Sequence, residues 1–236
     1  MAKSHSKAGS LKSVFALLLL FGPALILIFI STRGCEHKFK ELDDYGVIPA
    51  FSFTNSKGKV FTNQTFKNKI VIYTTIQASC PDSCGVSIWH LDQLIYQRLR
   101  ENRKKLGHVK LVSILTDENG NPDTDGKHLQ DVEFMLKDRV EGYDPTIWMI
   151  VAGDAKAIYN IQHNGQSLLQ KDKKYFGGNS FQELMLLADK SNHLRMVLPG
   201  KTESTIRTMR DHMALLEKEY DIKAYKLKKQ KSAKED

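Results

Sequence analysis

Cysteine is scarce in this chain: Cys35, Cys80 and Cys84 are the only three in 236 residues. That excludes a disulfide-stapled scaffold, so stability must come from a buried core. The length leaves room for one sizeable domain plus appendages. Charge is missing where a nucleic-acid surface would need it. The formal net charge is +8, but it sits at the two ends. Lys3, Lys7 and Lys12 open the chain, and six lysines against Glu235 and Asp236 fill residues 222–236. The middle is nearly neutral, so no nucleic-acid partner is expected, and residues 222–236 read as a basic, flexible tail.

Val14 to Ile30 carries no charge and is broken only by Gly22–Pro23. Such a run is at the short end for a membrane-crossing helix. It lacks the small-x-small ending of a cleaved signal peptide, closing instead on Ser31–Thr32–Arg33–Gly34–Cys35. Gly34–Cys35 suggests a lipid acceptor, but the preceding residues lack the aliphatic pattern of one. The expected organisation is a cytoplasmic basic segment (1–13), a transmembrane anchor (14–31), a linker (32–44), a domain (45–221) and the tail (222–236). The lysines before the anchor place the N-terminus in the cytoplasm. A single pass through the inner (cytoplasmic) membrane would then put the domain in the periplasm or an equivalent exterior compartment.

One stretch suggests chemistry. Ile70–Val71–Ile72–Tyr73 is apolar and β-branched, as in a buried strand, and Val86 to Leu94 repeats apolar residues at helical spacing. Cys80 and Cys84 fall between them, where a strand hands over to a helix, with Pro81 at a plausible first helical position. Cysteines four apart at a helix start share a face. The helix dipole there favours a thiolate, at Cys80 above all. Such a pair closes a disulfide or offers two soft ligands to one metal ion; an inert disulfide is the plainer alternative.

Around this junction the chain reads as alternating elements. Ile48–Thr54 and Val60–Thr62 form a hairpin about Asn55–Lys59, followed by the strand at 70–75 and a helix to about Lys105, closed by Gly107. Val109–Leu115 is a strand, 127–139 a helix, and Trp148–Val151 a strand. Residues 158–174 suggest irregular helix plus loop. Leu184–Ala188 and His193–Leu198 flank a turn, and Thr202–Tyr220 is a closing helix. This is the α/β order of a thioredoxin-like domain with an N-terminal β-hairpin extension, preceded by one transmembrane helix.

The chain resembles the Sco/SenC family of membrane-anchored thioredoxin-like proteins over about residues 45–220. The carriers are Ile48–Phe53, Cys80–Pro81–Asp82–Ser83–Cys84, Leu111–Ile114, Trp148–Gly153 and the hairpin around Leu187–Lys190. The resemblance implies copper held by the two cysteines and a distant histidine, and delivery to cytochrome c oxidase. The histidine position falls at about Phe181, where this chain has none, and Gly85 stands where the family often has a second proline. Cu(I), which accepts two thiolates, is then expected rather than Cu(II). His163, in a polar loop, is the third-ligand candidate; His90, His193 and His212 read as solvated or satisfied. The acidic stretch Asp117–Asp125 lacks the spacing of a calcium loop and reads as surface.

Three functions compete. One is copper handling for a cytochrome c oxidase subunit, or another copper or thiol protein of the exterior compartment, with Cys80 and Cys84 as ligands. The second is a thiol–disulfide oxidoreductase in which the same two residues are catalytic. The third is an interaction module that keeps the fold but lacks either activity.

Overall fold

The structure is a computed structural model. It describes residues 8–34, 41–78, 83–117, 119–123, 126–163, 166–167 and 180–235. The chain divides between Lys40 and Glu41 into two compact units. The first contains helix α1 (Ala8–Gly34), interrupted in composition by Pro23. Its large apolar side chains from Phe15 to Phe21 and from Leu25 to Phe29 are exposed. Among the described residues no helix is long and apolar enough to cross a membrane.

The second unit is a mixed α/β domain. Its strands are β1 (Ser52–Thr54), β2 (Val60–Thr62), β3 (Ile70–Gln77), β4 (Val109–Thr116), β5 (Trp148–Ala152), β6 (Gln162–His163), β7 (Gln166–Ser167), β8 (Leu184–Ala188) and β9 (Leu194–Pro199). Seven form one sheet in the order β2-β1-β5-β4-β3-β8-β9, with β6 and β7 pairing separately. β3, β4 and β5 run parallel, β8 antiparallel to β3, and β1 antiparallel to β5. The helices are α2 (Ser83–Leu91), α3 (Gln97–Glu101), α4 (Arg103–Leu106), α5 (Gly126–Arg139), α6 (Ala155–Tyr159) and α7 (Glu203–Glu235).

The two-residue period of the central strands sorts the core into two layers. Ile70, Ile72 and Ile76 of β3, with Val109, Leu111 and Leu115 of β4, meet Ile88, Leu91 and Ile95, the α5 residues Leu129 and Leu136, and Met209 and Met213 of α7. Val71, Tyr73, Val112 and Ile114 face the other way, onto Phe51, Phe53, Phe61 and Phe66 of the hairpin region and onto α6. Some polar groups inside are paired: Trp148 Nε1 donates to Ser113 Oγ at 2.9 Å, and Ser113 shares a 2.7 Å hydrogen bond with Thr74, whereas the buried Tyr73 hydroxyl has no hydrogen-bond partner. Burying Trp148 therefore strands no donor.

Three elements differ from expectation. The helix expected from Cys84 to Lys105 is segmented: a π-helical turn (Asp92–Tyr96) joins α2 to α3, and Asn102, at φ −102° and ψ 29°, breaks the run before α4. Asp92 is buried at the wide turn, where the side chains of Gln93 and Gln97 donate to its carboxylate at 2.9 and 2.7 Å. Of residues 158–174, the described ones hold the end of α6 and the β6–β7 pair rather than irregular helix, and 164–165 and 168–174 lie outside the described residues. The final helix continues past Tyr220 to Glu235, through residues expected as a tail. Good helix formers (Ala224, Leu227, Gln230 and six lysines) explain how it propagates without core contacts.

Candidate dithiol edge of the sheet

β3 and β4 end together at the carboxyl edge of the parallel sheet, where α/β folds gather their sites. Their last paired residues are Gln77 and Thr116, and the Ala78 amide donates to the Thr116 carbonyl at 3.0 Å. The chain re-enters the described structure at Ser83, the first residue of α2, and Cys84 follows within the first helical turn. The strand-to-helix junction expected around the cysteines is therefore present. Cys80 lies outside the described residues, and so does Cys35; at Cys84 the backbone is described.

The 3₁₀ turn Ser180–Glu183 is brought alongside this edge by its own side chains. Thr75 Oγ1 donates to the Gln182 carbonyl. The Gln182 side-chain oxygen accepts from Gln77 Nε2 at 3.2 Å and from Thr116 Oγ1 at 2.5 Å. Gln182 thus ties β3 and β4 to the turn that carries residue 181. Nothing in the residue pattern marked it out; threonines following an apolar strand run were the only hint, and they have many uses.

Phe181 occupies the position where the resemblance implies a histidine, and it is buried, at 2 % exposure. Its ring packs on Tyr159, with centroids 5.2 Å apart and planes at 59°. It also fills the space beside Gly120: a Cβ there would stand 2.3 Å from Phe181 Cζ, and Gly120 has φ +73°. Phe181 belongs to the hairpin-side core layer and brings no donor atom.

Among the described residues, four histidine side chains are engaged with other partners. His108 Nε2 meets Glu217 at 2.5 Å, His128 Nδ1 meets Asp123 at 2.9 Å, and His193 Nδ1 meets Asp44 at 2.8 Å. His212 Nδ1 lies 2.8 Å from the Thr208 carbonyl. His90 packs edge-on against Trp89, and its buried Nδ1 has no hydrogen-bond partner. His163 lies in β6, paired with Gln166, not in a loop. Among the described residues no group of three histidine, cysteine or acidic side chains could hold a metal ion. Asp117 uses its carboxylate on Asn121 and the backbone of its own turn, which holds its pKa below the usual carboxylate range.

A thioredoxin-like α/β domain with a cysteine pair at the first strand-to-helix junction of its parallel sheet is what these elements define. The SCO1/SenC family model matches residues 40–216. The chain belongs to that family. Among solved structures it is similar to a putative electron transfer protein from Aquifex aeolicus VF5, with 16% identity, 74% of this chain and 98% of that one covered, and a TM-score of 0.50. BsSco, of the Sco family of cytochrome c oxidase assembly proteins, gives 15% identity, 76% and 98% coverage and a TM-score of 0.48. Yeast Sco1 with copper bound gives 18%, 72% and 93%, and 0.45. No match is found among curated protein sequences.

Proposed function

We propose that this chain is a membrane-held Sco/SenC protein that handles Cu(I) as cargo through Cys80 and Cys84, in the service of cytochrome c oxidase assembly. The observation that carries the reading is the pairing of a Cys-x-x-x-Cys at the β3–α2 junction with a buried phenylalanine at residue 181. Two thiolates satisfy Cu(I), which tolerates low coordination; Cu(II) wants the imidazole that Phe181 cannot supply. His163 is the residue to try as a third donor. Cu(I) would pass to a copper-accepting oxidase subunit, or another exterior copper protein, by stepwise thiolate exchange. α1, with its exposed apolar side chains, is the proposed anchor over residues 14–31, with the N-terminus in the cytoplasm and the domain outside.

Phe181 also favours a second reading, thiol–disulfide exchange. The Cys80 thiolate would attack a partner disulfide, forming a mixed disulfide and releasing one partner thiolate. The Cys84 thiolate would then attack the Cys80 sulfur and release the second, so two electrons pass to the partner and Cys80–Cys84 is left oxidised. Competition for Cu(I) between the reduced chain and a chromophoric chelator separates the two. Tight, stoichiometric binding that is lost in Cys80→Ser/Cys84→Ser supports the cargo reading. Weak or cysteine-independent binding ends it, and the reduction potential of the pair then decides between an oxidoreductase and an inert module.

A further inference from the structure

The last third of α7 has no use in the core. Every residue from Lys223 to Ser232 is exposed, Tyr225 and Leu227 among them, yet the helix continues. Residues 223–236 hold six lysines against Glu235 and Asp236. At 100° per residue, Lys223, Lys226, Lys228, Lys229 and Lys231 are spread around the whole circumference rather than along one stripe. That distribution suits a diffuse negative field and not the shaped surface of one protein partner.

The root of this arm is fixed to the point where the domain begins. Lys223 Nζ lies 2.6 Å from Glu219 and 3.9 Å from Glu41, the first residue of the second unit. Glu219 also receives Arg195 at 3.2 Å, and Arg195 donates to the carbonyls of Leu42 at 2.7 Å and Asp43 at 3.0 Å. The Tyr45 amide and the Gly46 carbonyl continue the attachment through Leu194, at 2.9 Å each. From its root the arm extends about 18 Å.

We propose that residues 223–235 form a second membrane contact, in which the lysine arm of α7 binds anionic phospholipid headgroups. Each lysine close to an anionic lipid surface adds affinity, and the lysines of this exposed helix end surround its axis on all sides. The proposal rests on the reading of α1 as an anchor.

The test uses the full chain in nanodiscs of phosphatidylcholine alone or mixed with phosphatidylglycerol, with chymotryptic cleavage after Tyr225 as readout. Cleavage is expected to be roughly tenfold slower in the anionic discs. Raised salt should remove that protection, and so should K226Q/K228Q/K229Q/K231Q, which leaves Tyr225 and the core untouched. Retention of the chain with the discs in raised salt reports α1 separately. A chain that leaves the discs overturns the anchoring reading and the arm with it. A retained chain cut equally fast in both lipids, or protected equally in both, overturns the arm alone.

Discussion

Two clusters of buried polar side chains sit at opposite ends of the central sheet, and they are made of different materials. At the carboxyl edge of β3 and β4, Thr75, Gln77, Thr116 and Gln182 bind one another without a formal charge. At the far end, around the β8–β9 turn, Arg195 is held by Asp189 at 3.1 Å and by Glu219 at 3.2 Å, with both carboxylates at least as buried as the guanidinium. Burial opposes the Arg195 charge, but these two partners outweigh it and raise its pKa. The charged cluster is a mechanical clamp that holds the entering chain at Leu42 and Asp43 and the root of α7 together. The neutral cluster fixes backbone beside the cysteine junction without setting a permanent charge near it. A dithiol that must exchange a metal ion or electrons benefits from surroundings that do not lock its ionisation.

The largest losses are expected at the charged end. Arg195→Ala leaves the buried Asp189 without a counter-charge and Glu219 with Lys223 alone, and is expected to cost about 3–5 kcal/mol in denaturant unfolding. Arg195→Met combined with Asp189→Asn and Glu219→Gln should cost clearly less, because no buried charge remains unpaired. Equal losses in the two variants would deny the charged end its distinct character.

At the neutral end the losses are smaller. Gln182→Ala removes the acceptor of Gln77 and Thr116 and should cost about 1–3 kcal/mol by the same measurement. Gly120→Ala forces a Cβ into the Phe181 ring at positive φ, and a similar cost of about 1–3 kcal/mol follows from overpacking. A Gly120→Ala chain as stable as the parent would show that Phe181 is not held as described.

The smallest effect is acid sensitivity. Burial raises the Asp44 carboxyl, but the Gly46 amide, His193 and Arg195 lower it further, and Thr146 and Arg103 do the same for Asp144. A depressed folded pKa stabilises the fold above the unfolded value near about 4, and that contribution disappears as pH falls through the folded value. Asp44 is half-exposed and Asp144 partly exposed, so solvent screens both and the effect is modest. Unfolding midpoints should be flat above about pH 5 and fall below about pH 4. D44N/D144N should flatten that fall; an unchanged slope would assign it to other groups.

Much of the fold was legible because apolar period and turn chemistry agreed. Ile70–Tyr73, Val109–Leu115 and Leu184–Ala188 lie in buried strands, and the turn at Asp189–Asn192 joins β8 to β9 as its residues suggested. The break at Asn102 and the π turn at Asp92 were hidden, because apolar spacing tolerates one extra residue while hydrogen bonding does not. The length of α7 was hidden for another reason: a lysine-rich stretch reads as frayed until a packed helix nucleates it. At the site, the absence of histidine near residue 181 could be read directly. That Phe181 is locked against Tyr159 and Gly120, with Gln182 taking the polar contacts, depends on contacts across more than sixty residues of sequence in each polar pair, which spacing does not encode. Arg195 carried a faint signal, a lone charge within Leu194–Leu198, and its partners lay in three separate segments.

The most direct test of a two-thiolate site without imidazole is to titrate the reduced chain with Cu(II), following thiolate-to-copper charge-transfer absorption and counting free thiols. The expected result is no stable absorption band. Cys80 and Cys84 should be lost as a disulfide within one chain, the two electrons reducing two Cu(II) to Cu(I), and Cys80→Ser/Cys84→Ser, which keeps only Cys35, should form no such disulfide. A stable, cysteine-dependent Cu(II) band with both thiols retained would mean that a third ligand is supplied from elsewhere in the chain, and would contradict the site described here.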